Sequence, residues 1–545
     1  MNRVLRALFV VVGLAVAVAE APRPVAGQDA GWLYINTTED LTISGEQCLP
    51  QQVCTLRAAL LKAEGRQGVI TACFDPAEVP EAMGCPERAT PLTTEDPNYD
   101  PETGKWVLEY AKGANSFDLS KGGTIIDFTR TLSGWDGPED NRMVLDADIT
   151  RDDEDRKPTE AFIIEGSDNV IAGLEIRGTY SIAAIMVRRG ASNNQFGPGL
   201  VLAGINEGVG LSLESANTVG NKLIGSWCGI TGDGTEVAGL RDHCVRIFGG
   251  ASANVVGGPD PADRNILAAN ERGSGVVVQG AETRDNVVQG NWIGLDLIGE
   301  QALPNDGGVQ VVEGAIGTRI IDNVISGNRN IGIAVSGETL GTVIEDNVIG
   351  RSVGGGRCVG NGRGISIDAG AGEMRIAGNT IHCNERAGII VRSASSTAVH
   401  ITKNSITKNS QNPIDLAAGA NEGIAPPHVD VISGTEIRGR ACPSCTVEFF
   451  TDPAGEAEVF EGEVVAGAAD GTFEFEKPAG FKYNGLRATM TDGANTSALS
   501  DESFVPRVRP THTPFGNKTP TPRPTDTNPA FRYVYMPWAS VGNVR

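Results

Sequence analysis

The chain has 545 residues, too many for one ordinary domain unless that domain grows by repetition. Its 68 acidic and 45 basic residues give a formal net charge of -23, which excludes a surface that binds nucleic acid or anionic membrane over its whole extent. Seventy glycines without a Gly-X-Y period imply many tight turns, and with 5% aromatic residues the core must come from Val, Ile, Leu and Ala.

At the start of the chain, Arg3 and Arg6 precede the apolar run ALFVVVGLAVAVA. This pattern predicts a secretory signal peptide over 1–19, with a retained anchor as the alternative. No later run is long and apolar enough to span a bilayer, so no transmembrane segment is expected after signal removal. Export makes the ten cysteines readable as disulfides. Pairing by proximity gives Cys48 with Cys54, Cys73 with Cys85, Cys228 with Cys244, Cys358 with Cys383 and Cys442 with Cys445.

Residues 30–160 are expected to form an N-terminal cap and the first coils, with an irregular Pro-rich and acidic insertion over 74–110. The amphipathic run CTLRAALLKAE is placed to lay Leu56, Ala59, Leu60 and Ala63 over the first coil as an end cover. The run RDDEDRK, residues 151–157, reads as a solvated loop rather than a calcium site. No cofactor and no metal is expected, calcium being the one ion with any candidate.

Between 161 and 428 the sequence repeats. Asn221, Asn254, Asn286, Asn323, Asn347, Asn379 and Asn404 each begin a short aliphatic run that ends in Gly, Ser or another Asn, as in NVVQGNWIG. A second motif, Gly followed by alternating aliphatics, occurs as GLSL, GVVV, GIAV, GISI and GIIV, starting at Gly210, Gly275, Gly332, Gly364 and Gly388. Period-two alternation marks strands with one buried face. Such short strands bury too little alone and must pair with their counterparts one period on. The predicted fold is all-β: a right-handed, single-stranded parallel β-helix of about ten coils between Phe162 and Leu416. Stacked Asn amides would bond in ladders, with Asn itself taking the left-handed conformation at each corner. The longer periods, GITGDGTEVAGLRDH and GLDLIGEQALPNDG, are expected to protrude on one side.

The run NVVGGPDPADRNILAANERGSGVVVQG, continued by NVVQGNWIGLDLIGEQALPNDGGVQV, resembles the repeats of secreted bacterial right-handed parallel β-helix proteins. Upstream, WLYINTTEDLTISGEQCLPQQVCTLRAAL resembles the CSLREA domain that opens many such proteins. Cys54, Thr55, Leu56, Arg57, Ala58 and Ala59 stand at the signature positions, with Ala58 in place of its Glu.

Past the repeats, 429–506 shows short strands separated by DG and PAG turns, predicting a small antiparallel β-sandwich. This region resembles the immunoglobulin-like modules found behind such β-helices. Its CPSC leads into a strand, not a helix, and reads as a structural bridge. Residues 507–529 form a Thr/Pro-rich linker, and 530–545 an aromatic tail for sorting or attachment, or else a strand docked on a neighbouring domain.

No catalytic residue is assigned from the sequence. The candidate acids Asp285, Asp296, Asp306, Asp322, Asp346, Asp368 and Asp415 occur singly, mostly in turn contexts, instead of as the paired carboxylates of a glycosidase. His243, His382 and His400 lie in the array without a recognisable motif. Arg272, Arg329, Arg363 and Arg386 all fall just before the Gly that begins a strand, so stacking is expected to align them, with Arg392, Lys403 and Lys408, into a stripe. Guanidinium groups grip carboxylates bidentately, so the stripe would suit an acidic glycan. The function expected is that of an exported or cell-surface protein without enzymatic activity, whose long side face contacts polysaccharide or another surface component. A lyase or uronate epimerase acting on an acidic polysaccharide is the alternative.

Overall fold

The computed structural model describes residues 32–39, 48, 53–63, 68–87, 89–110, 116–148 and 158–506. The signal peptide, the run 151–157, the linker and the tail expected from the sequence all lie outside these residues.

Three long sheets of short strands run side by side, with 12, 12 and 11 members. Each chain period contributes one strand to each, so a coil holds three strands where the Asn and Gly motifs alone had marked two. In one coil these are Val287–Gln289 on the first sheet, Trp292–Ile293 on the second and Gly307–Val312 on the third. Their pairings to the next coil are parallel and in register: Val288 with Ile320, Ile293 with Ile325 and Val309 with Ile333. The side chains at these positions are fully buried, and a single apolar cluster runs from Ile35 to Ile414 along the inside of the solenoid and on to Phe450, Ala457 and Leu499 of the module that follows. The Gly-first motifs are the strands of the third sheet. At Gly332 a Cβ would lie 2.8 Å from the carbonyl oxygen of Gly364 and 3.1 Å from the Asn361 amide, so the close approach of backbone at that corner requires glycine.

The asparagines form not one row but three, one before each sheet. Asn169, Asn194, Asn221, Asn254 and Asn286 precede the first sheet and are linked amide to amide. Asn265, Asn291, Asn323, Asn347, Asn379 and Asn404 precede the second. Asn270, Asn305, Asn328, Asn361, Asn384 and Asn409 precede the third. The seven corner asparagines expected from sequence are therefore drawn from two rows, and Asn286 stacks over Thr318 while Asn323 stacks under Asn291. The motif NVVQGNWIG holds both corners, Asn286 and Asn291, five residues apart.

A second expectation is also corrected. The left-handed residue is the one before most of the ladder Asn residues, such as Asp285 (φ 55°), Asp322 (φ 56°) and Asp346 (φ 56°), though not before Asn265, which follows Arg264 at φ -59°, while the Asn side chain turns inward. The Asp-Asn pairs are thus a corner and a buried amide, and these three acids are explained by geometry.

The first row stops at Asn286. Beyond it the same position is Thr318 and then Thr342, both fully buried with hydroxyls that lack a hydrogen-bond partner. Each follows a left-handed glycine, Gly317 or Gly341, so the backbone already has the ladder geometry. A Thr318→Asn substitution would offer its Oδ1 to the backbone N–H and amide of Asn286. It is expected to stabilise the array by about 1 kcal/mol per bond gained, read as a higher urea midpoint; an unchanged or lower midpoint would show that the amide does not fit.

Three hairpins fold back over the second sheet, closed by the bridges Ile230 to Val237, Leu295 to Ala302 and Arg351 to Cys358. They arise on every second coil. Leu297 of the middle hairpin packs on Gly234, and Val353 of the last on Gly299, where a Cβ would collide with the neighbouring hairpin. Cys228 and Cys244 bridge the first of these excursions with Cα atoms 6.1 Å apart, and Cys358 and Cys383 join the third to the next coil at 5.5 Å. Cys48 pairs with Cys54, Cys73 with Cys85 and Cys442 with Cys445.

Both ends of the solenoid are covered. The helix Leu56–Ala63 buries Leu56, Ala59, Leu60 and Ala63 against the first strands. At the other end, two antiparallel sheets, built mainly from 428–440 with 472–476 and from 446–465 with 485–504, enclose their own core around Phe449, Phe473 and Leu486. Their edge supplies what a further coil would. Asn495 and Thr496 accept from the backbone of Ala398 and Ile401, Glu448 accepts from Lys403, and the Thr407 hydroxyl lies 2.6 Å from carboxylate oxygens of both Asp452 and Glu456.

Candidate functional site

With the second sheet roofed by hairpins, the outer face of the third, beside which the expected stripe lies, is a mixed surface on which Val277 and Ser366 are buried. Its strands alternate inward aliphatics with outward Arg246, Val277, Gln310, Ala334, Ser366 and Ile390 in successive coils. The expected basic stripe lies along the corner leading into this sheet, but its members have separate fates.

Arg363 and Arg386 stand in adjacent coils at that corner, one and two residues before the paired glycines Gly364 and Gly388. Neither guanidinium has a hydrogen bond or ion pair among the described residues. Arg392 follows the same strand, with Asp368 3.9 Å from it. Burial holds the Arg363 guanidinium below its ordinary value, and the charges of Arg386 and Arg392 lower it further. Arg329, one coil earlier, is taken up by structure: its Nη1 donates to the carbonyls of Asn270 (3.2 Å) and Glu271 (3.0 Å). Arg272 lies exposed beside Glu271 at the corner two coils above Arg329.

Lys403 and Lys408 leave the stripe altogether. Both are left-handed corner residues of the last coil. Lys403 pairs with Glu463 at 3.2 Å, and the backbone amides of both donate to C-terminal carboxylates, Glu448 and Glu456. Lys403 stands at the corner before the second sheet, not the one before the third where the arginines lie, and spacing carried no information on the partners that the following module brings.

The histidines give little scope for proton transfer. His243 Nδ1 accepts the Ser274 N–H at 2.9 Å, which places the proton on Nε2, facing Asp242 at 3.2 Å. Burial lowers its pKa, with Asp242 and Asp306 opposing. His382 meets Arg351 through one nitrogen and Ser405 through the other, and burial pushes its pKa down to about 4. Both rings are neutral and fully engaged near pH 7. His400 on the first sheet is also lowered by burial, and His428 is exposed beside Asp430. Cys442, Cys445 and Asp492 come close enough to share an ion, but the two sulfurs are joined to each other and present no thiolate.

The sequence reading missed two features. On the third sheet, Arg246 packs 4.3 Å over Phe248 and donates to Gln279, whose amide donates to Glu313 at 2.6 Å. On the outer face of the second sheet, Lys105 meets Glu175 at 2.9 Å, both almost fully buried, with Arg177 bonded to Asp146 beside them. The loop at Gly232 covers this pair so tightly that a Cβ there would sit 2.7 Å from Glu175 Oε2. Alternation along the strand Val245–Phe248 could have flagged Arg246 as outward-facing; nothing local joins residues 105 and 175.

A family described as right handed beta helix region matches residues 273–425, in agreement with the parallel coils described above. No curated protein matches the chain. Among solved structures, the chain is similar to the A-module of mannuronan C-5 epimerase AlgE6 from Azotobacter vinelandii, at 14% identity over 70% of this chain and 97% of that one, TM-score 0.43. It is also similar to the enzymatically active domain of tailspike protein 2 of bacteriophage CBA120 (10% identity, 74% and 72% covered, TM-score 0.35). A third is PfbA, a surface adhesin of Streptococcus pneumoniae (10% identity, 73% and 90% covered, TM-score 0.30).

Proposed function

We propose that this protein is an exported, non-enzymatic binder of acidic polysaccharide that holds its ligand against the outer face of the third sheet. The observation that carries this reading is the pair Arg363 and Arg386, which stand in adjacent coils at one corner with no hydrogen bond or ion pair among the described residues. Guanidinium groups left unpaired beside one another repel, and an anion that bridges them removes that cost while gaining charge-assisted bonds. Export accords with five disulfides, which persist outside reducing compartments. In this reading residues 1–19 direct secretion, the CSLREA-like segment covers the first coil, the immunoglobulin-like module at 429–506 covers the last, and 530–545 attaches the protein or sorts it.

Turnover by a lyase or epimerase finds its best footing at Asp242 and His243, but a base must have a free ring nitrogen and His243 has none. Binding of polyuronate by the wild type and by an Arg363→Gln/Arg386→Gln variant tests the proposal. At least a tenfold loss per guanidinium is expected, with a flatter salt dependence. Equal binding by both proteins, or steady release of unsaturated sugars absorbing in the ultraviolet, would overturn it.

A further inference from the structure

The module that closes the solenoid carries a group of sulfur atoms that the glycan-binding reading leaves unused. Cys442 and Cys445 flank a two-residue turn, held by the Cys445 N–H on the Cys442 carbonyl at 3.1 Å. Cys445 leads into the strand Thr446–Asp452, which pairs antiparallel with Gly485–Asp492, Thr446 opposite Thr491. The start of one strand therefore lies beside the end of the other. Met490 and Asp492, two residues apart, project from the same face of that end. The Met490 thioether accepts the Cys442 N–H at 3.4 Å, and its Sδ lies 3.8 Å from Cys442 Sγ. An Asp492 carboxylate oxygen lies within 4.8 Å of both cysteine sulfurs. Cys445 and Met490 are buried, whereas Pro443, Ser444 and Asp492 are exposed, so the group sits at the rim of the module's core.

The bridge in this group does little as a staple. Its cysteines are 3 positions apart, against 6, 12, 16 and 25 for the other four pairs, and a cross-link restrains the unfolded chain less the shorter its loop. Its exposed turn also leaves it open to attack by a thiolate. A dithiol that reduces it supplies two electrons and two protons, leaves as its own disulfide and converts Cys442 and Cys445 to thiols. Two cysteine sulfurs and one thioether then face one another. Thiolate and thioether are soft donors whose combination suits copper(I), whereas zinc takes thiolate with imidazole or carboxylate. We infer, independently of the glycan reading, that this turn is a redox-gated site for one copper(I) ion. When reduced, Cys442 and Cys445 give up their thiol protons and hold the ion as thiolates, with Met490 as third ligand. Asp492 stays outside the ligand set, because a hard carboxylate oxygen is a poor match for a soft ion. Joined as a disulfide, the same sulfurs offer no thiolate and the site is closed.

To test this, the full chain is treated with limiting dithiothreitol under native conditions, freed of it, and titrated anaerobically with copper(I) against bicinchoninate as competing chelator. Alkylation and mass spectrometry are expected to find Cys442 and Cys445 open. The reduced wild type is expected to bind one copper(I) that neither the untreated protein nor a Cys442→Ser/Cys445→Ser variant treated alike takes up. Met490→Leu, close in volume, is expected to weaken binding about tenfold or more, while Asp492→Asn leaves it unchanged. X-ray absorption by the wild-type complex reads the same point without a variant, with three sulfur neighbours expected around the copper. A pair that stays closed, no copper beyond that held by the double-serine variant, two sulfur neighbours only, or a loss in Asp492→Asn as large as that in Met490→Leu overturns the inference and leaves the glycan reading as it stands.

Discussion

Replacing Asn347 by alanine is expected to destabilise the protein by about 4 kcal/mol, measured by urea denaturation. Asn347 sits in the middle of the second-sheet row and is fully buried. Its Oδ1 accepts from both the backbone N–H and the amide of Asn323, each at 3.0 Å. Its own amide donates to Ile320, Glu345 and the Oδ1 of Asn379. Truncation strands two donors of Asn323 in a buried site, and each stranded group costs about 1–3 kcal/mol. The exposed Asn330→Ala change, which removes one surface bond, should stay within about 0.5–1 kcal/mol. Because each coil contacts only its neighbours, the loss falls on one interface, and the unfolding transition is expected to broaden or split into two. A loss for Asn347→Ala no larger than for Asn330→Ala would mean that the ladders align the coils without stabilising them.

Lys105→Met should cost about 3–5 kcal/mol, the usual result of removing one partner from a buried ion pair. The side chains of Lys105 and Glu175 are 6% and 1% exposed, and Arg177 Nη1, at 4.0 Å from Glu175 Oε1, is too far to bond it directly. The second oxygen of Glu175 already lacks a hydrogen-bond partner. With Lys105 gone, a carboxylate is left under the Gly232 loop with no bonded cation. The double variant Lys105→Met/Glu175→Leu is expected to return close to the wild type, since an apolar pair of similar volume needs no desolvation of charge. A full double-mutant cycle reads the coupling. If Lys105→Met alone is mild, Arg177 has swung from Asp146 to Glu175.

The parts of this architecture that could be read from the chain are those with a fixed local period. Gly332-Ile333-Ala334-Val335 and its equivalents announce the third sheet because alternate residues face the same core. Asn254 and Asn286, or Asn323 and Asn347, can be matched by spacing because each pair belongs to one corner. The step from Asn286 to Asn323 crosses from one corner to another, and periodicity cannot tell the two apart when Asn286 and Asn291 are only five positions apart. The third row was hidden for a related reason: one residue lies between Asn305 and its strand at Gly307, but three lie between Asn270 and Ser274. At the candidate site, the alignment of Arg363 with Arg386 followed from stacking. The removal of Lys403 and Lys408 depended on Glu448, Glu456 and Glu463, which arrive from a separate module. The Arg246 network spans three coils and needed the register to be known.

The alternation of long and short coils sets a rule for how such a chain can change its length. Hairpins two strands apart lie about 10 Å from one another, room for one layer of side chains such as Leu297 or Val353; on consecutive coils they would have about half that distance and would interpenetrate. Deleting or inserting a single turn in this stretch therefore breaks the sequence of roofs, whereas a gain or loss of two turns together preserves it. Genetic growth of the rod should proceed in doublets, each bringing one new shingle with the bare turn that separates it from the next.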